Sequence, residues 1–291
     1  MKRLLCLLML LCLLPVLALG EGKVVNLIEN PDAEWSFEEG AEILEIVYPS
    51  LQGADACILR MGDQVMMIDC ATDDQSQSSV VPTLRRLGIT HVDIAFNSHP
   101  HDDHLTGFEY LDGTATIGKL LVSSPLDENY VIRRTVRVME ILGVPVEQVQ
   151  DGDVLTLGNA TLTVIQRQRP DLTGNDRSGV LKLVYGDCSF ISFGDVENRA
   201  QSMLAEDPPA CGLHADIMKY PHHGHAKLRE DFFNAVSPEL AIITAAQFRA
   251  KDAFAYMGKK NVPTLSTYRH TLRLRTDGHI WVVDDLGLQE D

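Results

Sequence analysis

Short apolar runs alternate with breaks rich in Gly, Asp and Pro along most of the chain, and this pattern predicts a strand-rich α/β protein. Ala41–Tyr48, Ala56–Met61 and Gln64–Ile68 read as strands, the last two joined at Gly62-Asp63 as a hairpin. Asp69 to Ser79 reads as a polar loop. Val80, Val81, Leu84 and Leu87 then follow helical spacing, with Pro82 in the first turn and Gly88 closing the helix. Val92–Phe96 and Lys119–Ser123 read as strands, and Val131, Ile132, Val136, Met139 and Leu142 form a helical stripe that stops at Gly143. Val154–Leu157, Ala160–Gln166, Val180–Tyr185 and Ser189–Phe193 follow as strands. Leu228, Phe232 and Val236 mark a helix ending before Pro238. Leu240–Thr244, Thr264–Ser266 and His279–Val283 complete a second strand-rich stretch. Runs of strands with helices between them predict two mixed sheets packed face to face, helices outside, and a site at one sheet edge.

The first 20 residues break from this pattern. Met1-Lys2-Arg3 is a basic start, Leu4 to Leu19 is almost unbroken apolar sequence, and Ala18-Leu19-Gly20 offers the small residues a signal peptidase reads. The expectation is a signal peptide over 1–20 and one large domain over 21–291, secreted, or membrane-anchored if the leader is retained. About 270 residues suffice for one large core. Removing Lys2 and Arg3 from the 25 basic residues leaves 23 against 41 acidic ones, a balance of −18. That balance opposes tight non-specific nucleic-acid binding, which relies on neutralising phosphates. Cys57, Cys70, Cys188 and Cys211 are too few and scattered for a disulfide scaffold; they read mainly as small buried residues, with one disulfide left open.

The chemistry concentrates where apolar strands end. Val92–Phe96 runs into His99-Pro100-His101-Asp102-Asp103-His104, three imidazoles and a carboxylate spaced H-x-H-x-D-H, a dense set of borderline metal ligands. A second strand ends at Gly194-Asp195; Gly lets the backbone approach closely, and a strand-terminal Asp can bridge two cations. A third runs into Pro221-His222-His223-Gly224-His225, where at least one imidazole reads as a ligand or proton-transfer group. His91, His214, His270 and His279 stand alone and read as structural, as does Asp187 in a Gly186-Asp187 turn; Lys219 reads as a structural or rim residue. No Ser or Cys triad and no Gly-rich phosphate loop competes with the metal-site reading.

In order, His99/His101/Asp103/His104, Asp195 and His222 resemble the signature of the metallo-β-lactamase superfamily, an αββα sandwich with a two-metal site. Gln52–Leu59 and Val65–Cys70 look like its early strand pair. More narrowly, Asn175–Leu181, Phe193–Asp195 and Lys219–Gly224 are similar to the nuclease-like domain of bacterial competence (DNA-uptake) channel proteins, over roughly Leu44 to Val283. The resemblance implies His99 and His101 on one metal, Asp103, His104 and His222 on the other, and Asp195 bridging. It implies two divalent ions, Zn²⁺ or, as the alternative, Mn²⁺, sharing a hydroxide whose pKa falls towards neutrality. Asp103 would orient that hydroxide, and His223 and His225 would contact substrate or protonate a leaving oxygen. One departure stands out: many superfamily hydrolases carry a further His on the first metal in a Gly-His segment, and here Gly174 precedes Asn175. The function expected is a secreted metal-dependent hydrolase acting on phosphodiesters, DNA or nucleotides. The alternatives are hydrolysis of esters, thioesters or lactams with the same site, or a catalytically weak metal-binding surface protein.

Overall fold

The computed structural model describes residues 22–287, apart from 112, 168–171 and 173; the expected leader lies outside the described residues. The chain first lays down β1 (Val24–Asn26), β2 (Leu44–Tyr48), β3 (Ala56–Met61), β4 (Gln64–Cys70), β5 (His91–Asn97), β6 (Thr116–Val122) and β7 (Val146–Gln148). It then builds a second sheet from β8 (Val154–Leu157), β9 (Ala160–Ile165), β10 (Val180–Tyr185), β11 (Cys188–Ser192), β12 (Ile217–Lys219), β13 (Leu240–Ile243) and β14 (Thr264–Ser266). It returns to the first sheet as β15 (Leu272–Thr276) and β16 (Trp281–Asp285). The orders are β1-β16-β15-β2-β3-β4-β5-β6-β7 and β14-β13-β12-β11-β10-β9-β8.

Both sheets are mixed, and both are covered on two faces. In β3, Cys57, Leu59 and Met61 point between the sheets, while Ala56 and Ile58 point outward into a second apolar cluster. Strands buried on both sides need apolar residues at successive positions, which is why these segments read as continuous runs. Leu59, Phe96, Leu162, Phe190 and Trp281 fill the layer between the sheets. Outside the first sheet lie α1 (Val81–Arg86) and α2 (Tyr130–Leu142); outside the second lie α3 (Asn198–Glu206), α4 (Glu230–Val236) and α5 (Lys251–Lys259). Asn129 caps α2 by accepting from the Ile132 N–H at 3.1 Å, and Gly143 ends it at φ +72°. Its buried face is Ile132, Thr135 and Met139; of the expected stripe Ile132 and Met139 are buried, Val131 and Val136 are half-buried, and Leu142 is exposed. The expected layered α/β architecture is present.

Several elements depart from the expected pattern. Residues 73–80 are helical rather than a polar loop, started by Thr72, whose hydroxyl accepts from the Gln75 N–H. β15 was not among the expected strands: Leu272, Leu274 and Thr276 face inward and alternate with Arg273 and Arg275 on the other face, where both are held by Asp284 on the neighbouring strand. The final strand starts two residues later than expected. Among the described residues Cys57, Cys70, Cys188 and Cys211 form no disulfide, and the first three are buried. Among the described residues, no helix is long and apolar enough to cross a membrane.

Candidate metal centre

β3 runs antiparallel to β4, while β4, β5 and β6 run parallel, as do β11, β12, β13 and β14. One end of the sandwich therefore collects the start of β3 and the exits of β4, β5, β11, β12 and β13. Those positions hold Asp55, Asp69, the His99–His104 turn, Asp195, His223 and Thr244.

The three segments are pinned by backbone. His101 opens a helical turn, Asp102–Leu105, that presents Asp103 and His104. Asp103 O accepts from the Asp55 N–H at 3.0 Å, Ser98 O from the Gly179 N–H at 2.7 Å, and Gly194 O from the His222 N–H at 3.0 Å. Gly194 sits at φ +53°, and a Cβ there would come within 2.9 Å of the Ser178 Cβ and 3.0 Å of the Ser98 Cβ. Only glycine lets the strands close this tightly.

Carboxylates and a hydroxyl fix which nitrogen each imidazole offers. Asp69 Oδ2 accepts from His104 Nδ1 at 2.8 Å, Asp55 Oδ1 accepts from His223 Nδ1 at 3.1 Å, and Ser98 Oγ lies 3.1 Å from His99 Nδ1. Each arrangement leaves Nε2 facing the cavity, the usual outer-shell device of metal-binding histidines. Asp69 also accepts from Asn97 Nδ2 and the Ser98 N–H, so one side chain organises the whole histidine turn.

Two groups of donor atoms flank Asp195. On one side, His223 Nε2 is 3.2 Å from Asp103 Oδ2, 3.3 Å from His104 Nε2 and 3.5 Å from Asp195 Oδ2, and His104 Nε2 is 3.3 Å from Asp195 Oδ1. A tetrahedral ion with bonds near 2.05 Å sets its ligands about 3.3 Å apart, so these spacings fit a cation at their centre. On the other side, His99 Nε2 is 3.0 Å from His101 Nδ1 and 3.8 Å from Asp195 Oδ2. Asp195 Oδ1 is buried and makes no hydrogen bond among the described residues, a vacancy in bonding that a cation would fill. Asp55, His104, Asp195 and His223 together form a buried cluster able to bind metal.

Protonation follows from this excess of carboxylate. Burial alone would lower His104, but the charges of Asp195 and Asp69 overcome it and raise the imidazole to about 10. Burial likewise opposes His223, and Asp195 and Asp55 raise it well above the ordinary value. Burial would raise Asp103; the hydrogen bond and charge of His223, with the charge of His104, lower it to about 2. His99 is pushed down, by burial first and by the His104 charge second. Protons on His104 and His223 thus stand in for positive charge the cavity demands.

The histidine turn places its residues in a way composition does not reveal. His222 and His223 both adopt left-handed backbone, at φ 51° and 50°, a conformation that costs roughly 1–3 kcal/mol for a non-glycine residue and survives only where packing dictates it. His223, expected on the substrate side, faces Asp103, His104 and Asp195 and is buried. His222, expected among the ligands, stands at the outer edge: its Nε2 is 3.7 Å from Asp195 Oδ2, its Nδ1 is 3.0 Å from Glu197 Oε1, and its side chain is 27% exposed. Asn175 occupies the region where a further His was sought, donating to Glu197 Oε1 at 3.0 Å beside the His222 ring. His225 is exposed at the mouth.

Two polar residues of the centre, Asp55 and Asp69, are not among the residues expected there, and Lys219, expected as a structural or rim residue, is buried inside it. Asp55 and Asp69 back His223 and His104. Lys219, fully buried, forms an ion pair with Asp55, donates to Gly194 O at 2.8 Å and lies 3.7 Å from Asp195 Oδ1. The available signal was an acid ending an apolar run, as Asp69 follows Met66-Met67-Ile68.

Residues 53–224 match the model of the metallo-beta-lactamase superfamily. The chain is 29% identical over 206 residues to ComE operon protein 3 of Bacillus subtilis (strain 168), covering 68% of this chain and 25% of that protein. It is 23% identical over 194 residues to competence protein ComA of Neisseria gonorrhoeae, covering 66% and 26%. The chain thus spans about a quarter of the length of these relatives. Among solved structures, a variant of the beta-hydroxylase CmlA superposes with a TM-score of 0.53 at 13% identity, covering 84% of this chain and 54% of the other. A protein described as a metal-dependent hydrolase from Parabacteroides distasonis does so with a TM-score of 0.50 at 12% identity, covering 81% and 97%; both show the fold alone. With its family model matched over more than half its length, this chain belongs to the metallo-beta-lactamase superfamily.

Proposed function

We propose that this chain is a secreted, two-metal phosphodiesterase acting on DNA or nucleotide substrates, with His99, His101 and Asp195 holding one cation and Asp103, His104, His223 and Asp195 the other. The observation that carries this reading is the pair of donor groups on either side of Asp195, each spaced for one ion. The similarity to two competence proteins supports the choice of substrate. Two divalent cations held there, zinc or manganese, would polarise a phosphoryl oxygen and activate a water at neutral pH. The chain's own contribution is placement. Asp69, Asp55 and Ser98 lock the three imidazole tautomers, Asp103 turns a carboxylate towards the reaction space, and His225 stands exposed where a leaving oxygen departs.

The test is a substrate panel on the purified mature chain with metal content measured in parallel. Turnover of bis-p-nitrophenyl phosphate that stops on chelation is expected. Turnover only of a p-nitrophenyl ester or a chromogenic cephalosporin would replace the substrate class, and bound metal with no turnover at all would favour a surface metal-binding protein.

Two further outcomes separate the ligand assignment from its neighbours. His223→Ala is expected to remove one of two bound cations in elemental analysis and His222→Ala to leave both; the reverse pattern would move the ligand role to His222. Metal loading at pH 7 is expected to release about two protons per chain, because His104 and His223 must surrender theirs. Protons compete with the ion, so affinity climbs with pH towards about 10, where His104 gives up its proton unaided. Calorimetric titration in buffers of different ionisation enthalpy reads this directly, and an enthalpy independent of buffer would contradict it.

A further inference from the structure

The loops that follow β13 and β14 carry an aromatic and arginine cluster that the metal centre does not use. Phe248 is 68% exposed. Its ring meets that of Tyr268 edge to face, with centroids 6.1 Å apart at 90°. The Arg269 guanidinium lies 5.1 Å from the Tyr268 ring centroid, and Arg249 follows Phe248 directly. Arg249 and Arg269 are exposed and form no ion pair among the described residues, although acids outnumber bases 41 to 25. By contrast Arg60, Arg134, Arg177, Arg229 and Arg273 each hold a carboxylate.

Both loops are fastened to the metal centre. Gly224, in the histidine turn, sits at φ +90°, and a Cβ there would come 2.6 Å from the Ala250 Cβ, so the turn packs directly on the Phe248 loop. The Tyr268 loop is tied to the segment entering Asp55: Thr267 Oγ1 donates to Leu51 O at 3.0 Å, and the Arg269 N–H donates to Ser50 Oγ at 3.0 Å. An exposed flat ring, a second ring supporting it and two uncommitted guanidinium groups form the combination that receives a base and its phosphate.

Resting on the phosphodiesterase reading, we propose that Phe248, held edge to face by Tyr268, stacks the nucleobase flanking the scissile phosphodiester while Arg249 and Arg269 hold an adjacent phosphate. An acidic peptide would use the arginines and leave the rings uncovered; a nucleotidyl group engages both.

Fluorescence anisotropy of a labelled decathymidylate against an abasic sugar-phosphate strand of equal length tests the subsite without turnover. The base-bearing strand is expected to bind about tenfold tighter. Phe248→Ala and Tyr268→Ala should each remove most of that preference, and both residues lie on loops outside the core. Arg249→Ala and Arg269→Ala should weaken both strands alike and each lower the slope of log affinity against log salt by about 0.7. Equal binding of the two strands by the parent chain, no binding of either, or a preference unchanged in Phe248→Ala would overturn the subsite. A failed hydrolysis panel with the base preference intact would overturn the reaction and leave the subsite standing; phosphodiester turnover without base preference would do the opposite.

Discussion

Replacing Asp195 with alanine is expected to empty the metal centre and reduce turnover by at least about a thousandfold, the upper end of what one lost electrostatic group costs. The effect is large because this carboxylate faces both donor groups. Its Oδ2 lies 3.8 Å from His99 and 3.5 Å from His223, its Oδ1 3.3 Å from His104. Removing it also strips His104 and His223 of the first-ranked charge that raises them. Asp195→Asn keeps the volume and one coordinating oxygen, so partial metal retention is expected there. Elemental analysis after dialysis and a phosphodiester assay check both, with circular dichroism as the control for folding. An alanine variant that keeps its metal and its rate would remove Asp195 from the site.

Lys219→Met is expected to cost about 3–5 kcal/mol, since removing one partner of a buried ion pair leaves the other uncompensated. Burial opposes the ammonium, yet Asp55 and Asp195 hold its pKa above the ordinary value, so it is charged at every pH of interest. At about 2–4 °C per kcal/mol for a domain of this size, the melting temperature should fall by roughly 6–20 °C. The fall should be larger in the metal-free protein, where Lys219 has no bound cation to share in offsetting Asp55 and Asp195. Adding Asp55→Asn should recover part of it, because the stranded carboxylate is then neutral. A melting temperature unchanged in both metal states would mean that Lys219 contributes nothing to the cluster.

Much of this centre could be read from sequence because its residues follow strands. His99 to His104, Asp195 and the 222–225 turn each end an apolar run, and strand ends of parallel sheets converge whatever the loops between them do. That His223 is buried while His222 stands at the outer edge was not legible: both residues take left-handed backbone, and neither helical nor extended periodicity describes that. Asp55, Asp69 and Lys219 escaped because a charged residue next to an apolar run looks like a surface boundary. Only the tertiary contacts reveal that Lys219 and Asp55 are buried against each other. β15 was hidden for a related reason, its two arginines being neutralised across the sheet by Asp284 rather than by solvent.

The return of the last two strands to the first sheet has a consequence for how the protein is made. β15 pairs with β2 and β16 with β1, so ladders begun near residue 24 wait for partners near 281. Until the ribosome has released those final segments, β2 keeps an unpaired border and the nine-stranded layer stays open. Such long-range pairing makes closure of the layer the slow step of folding.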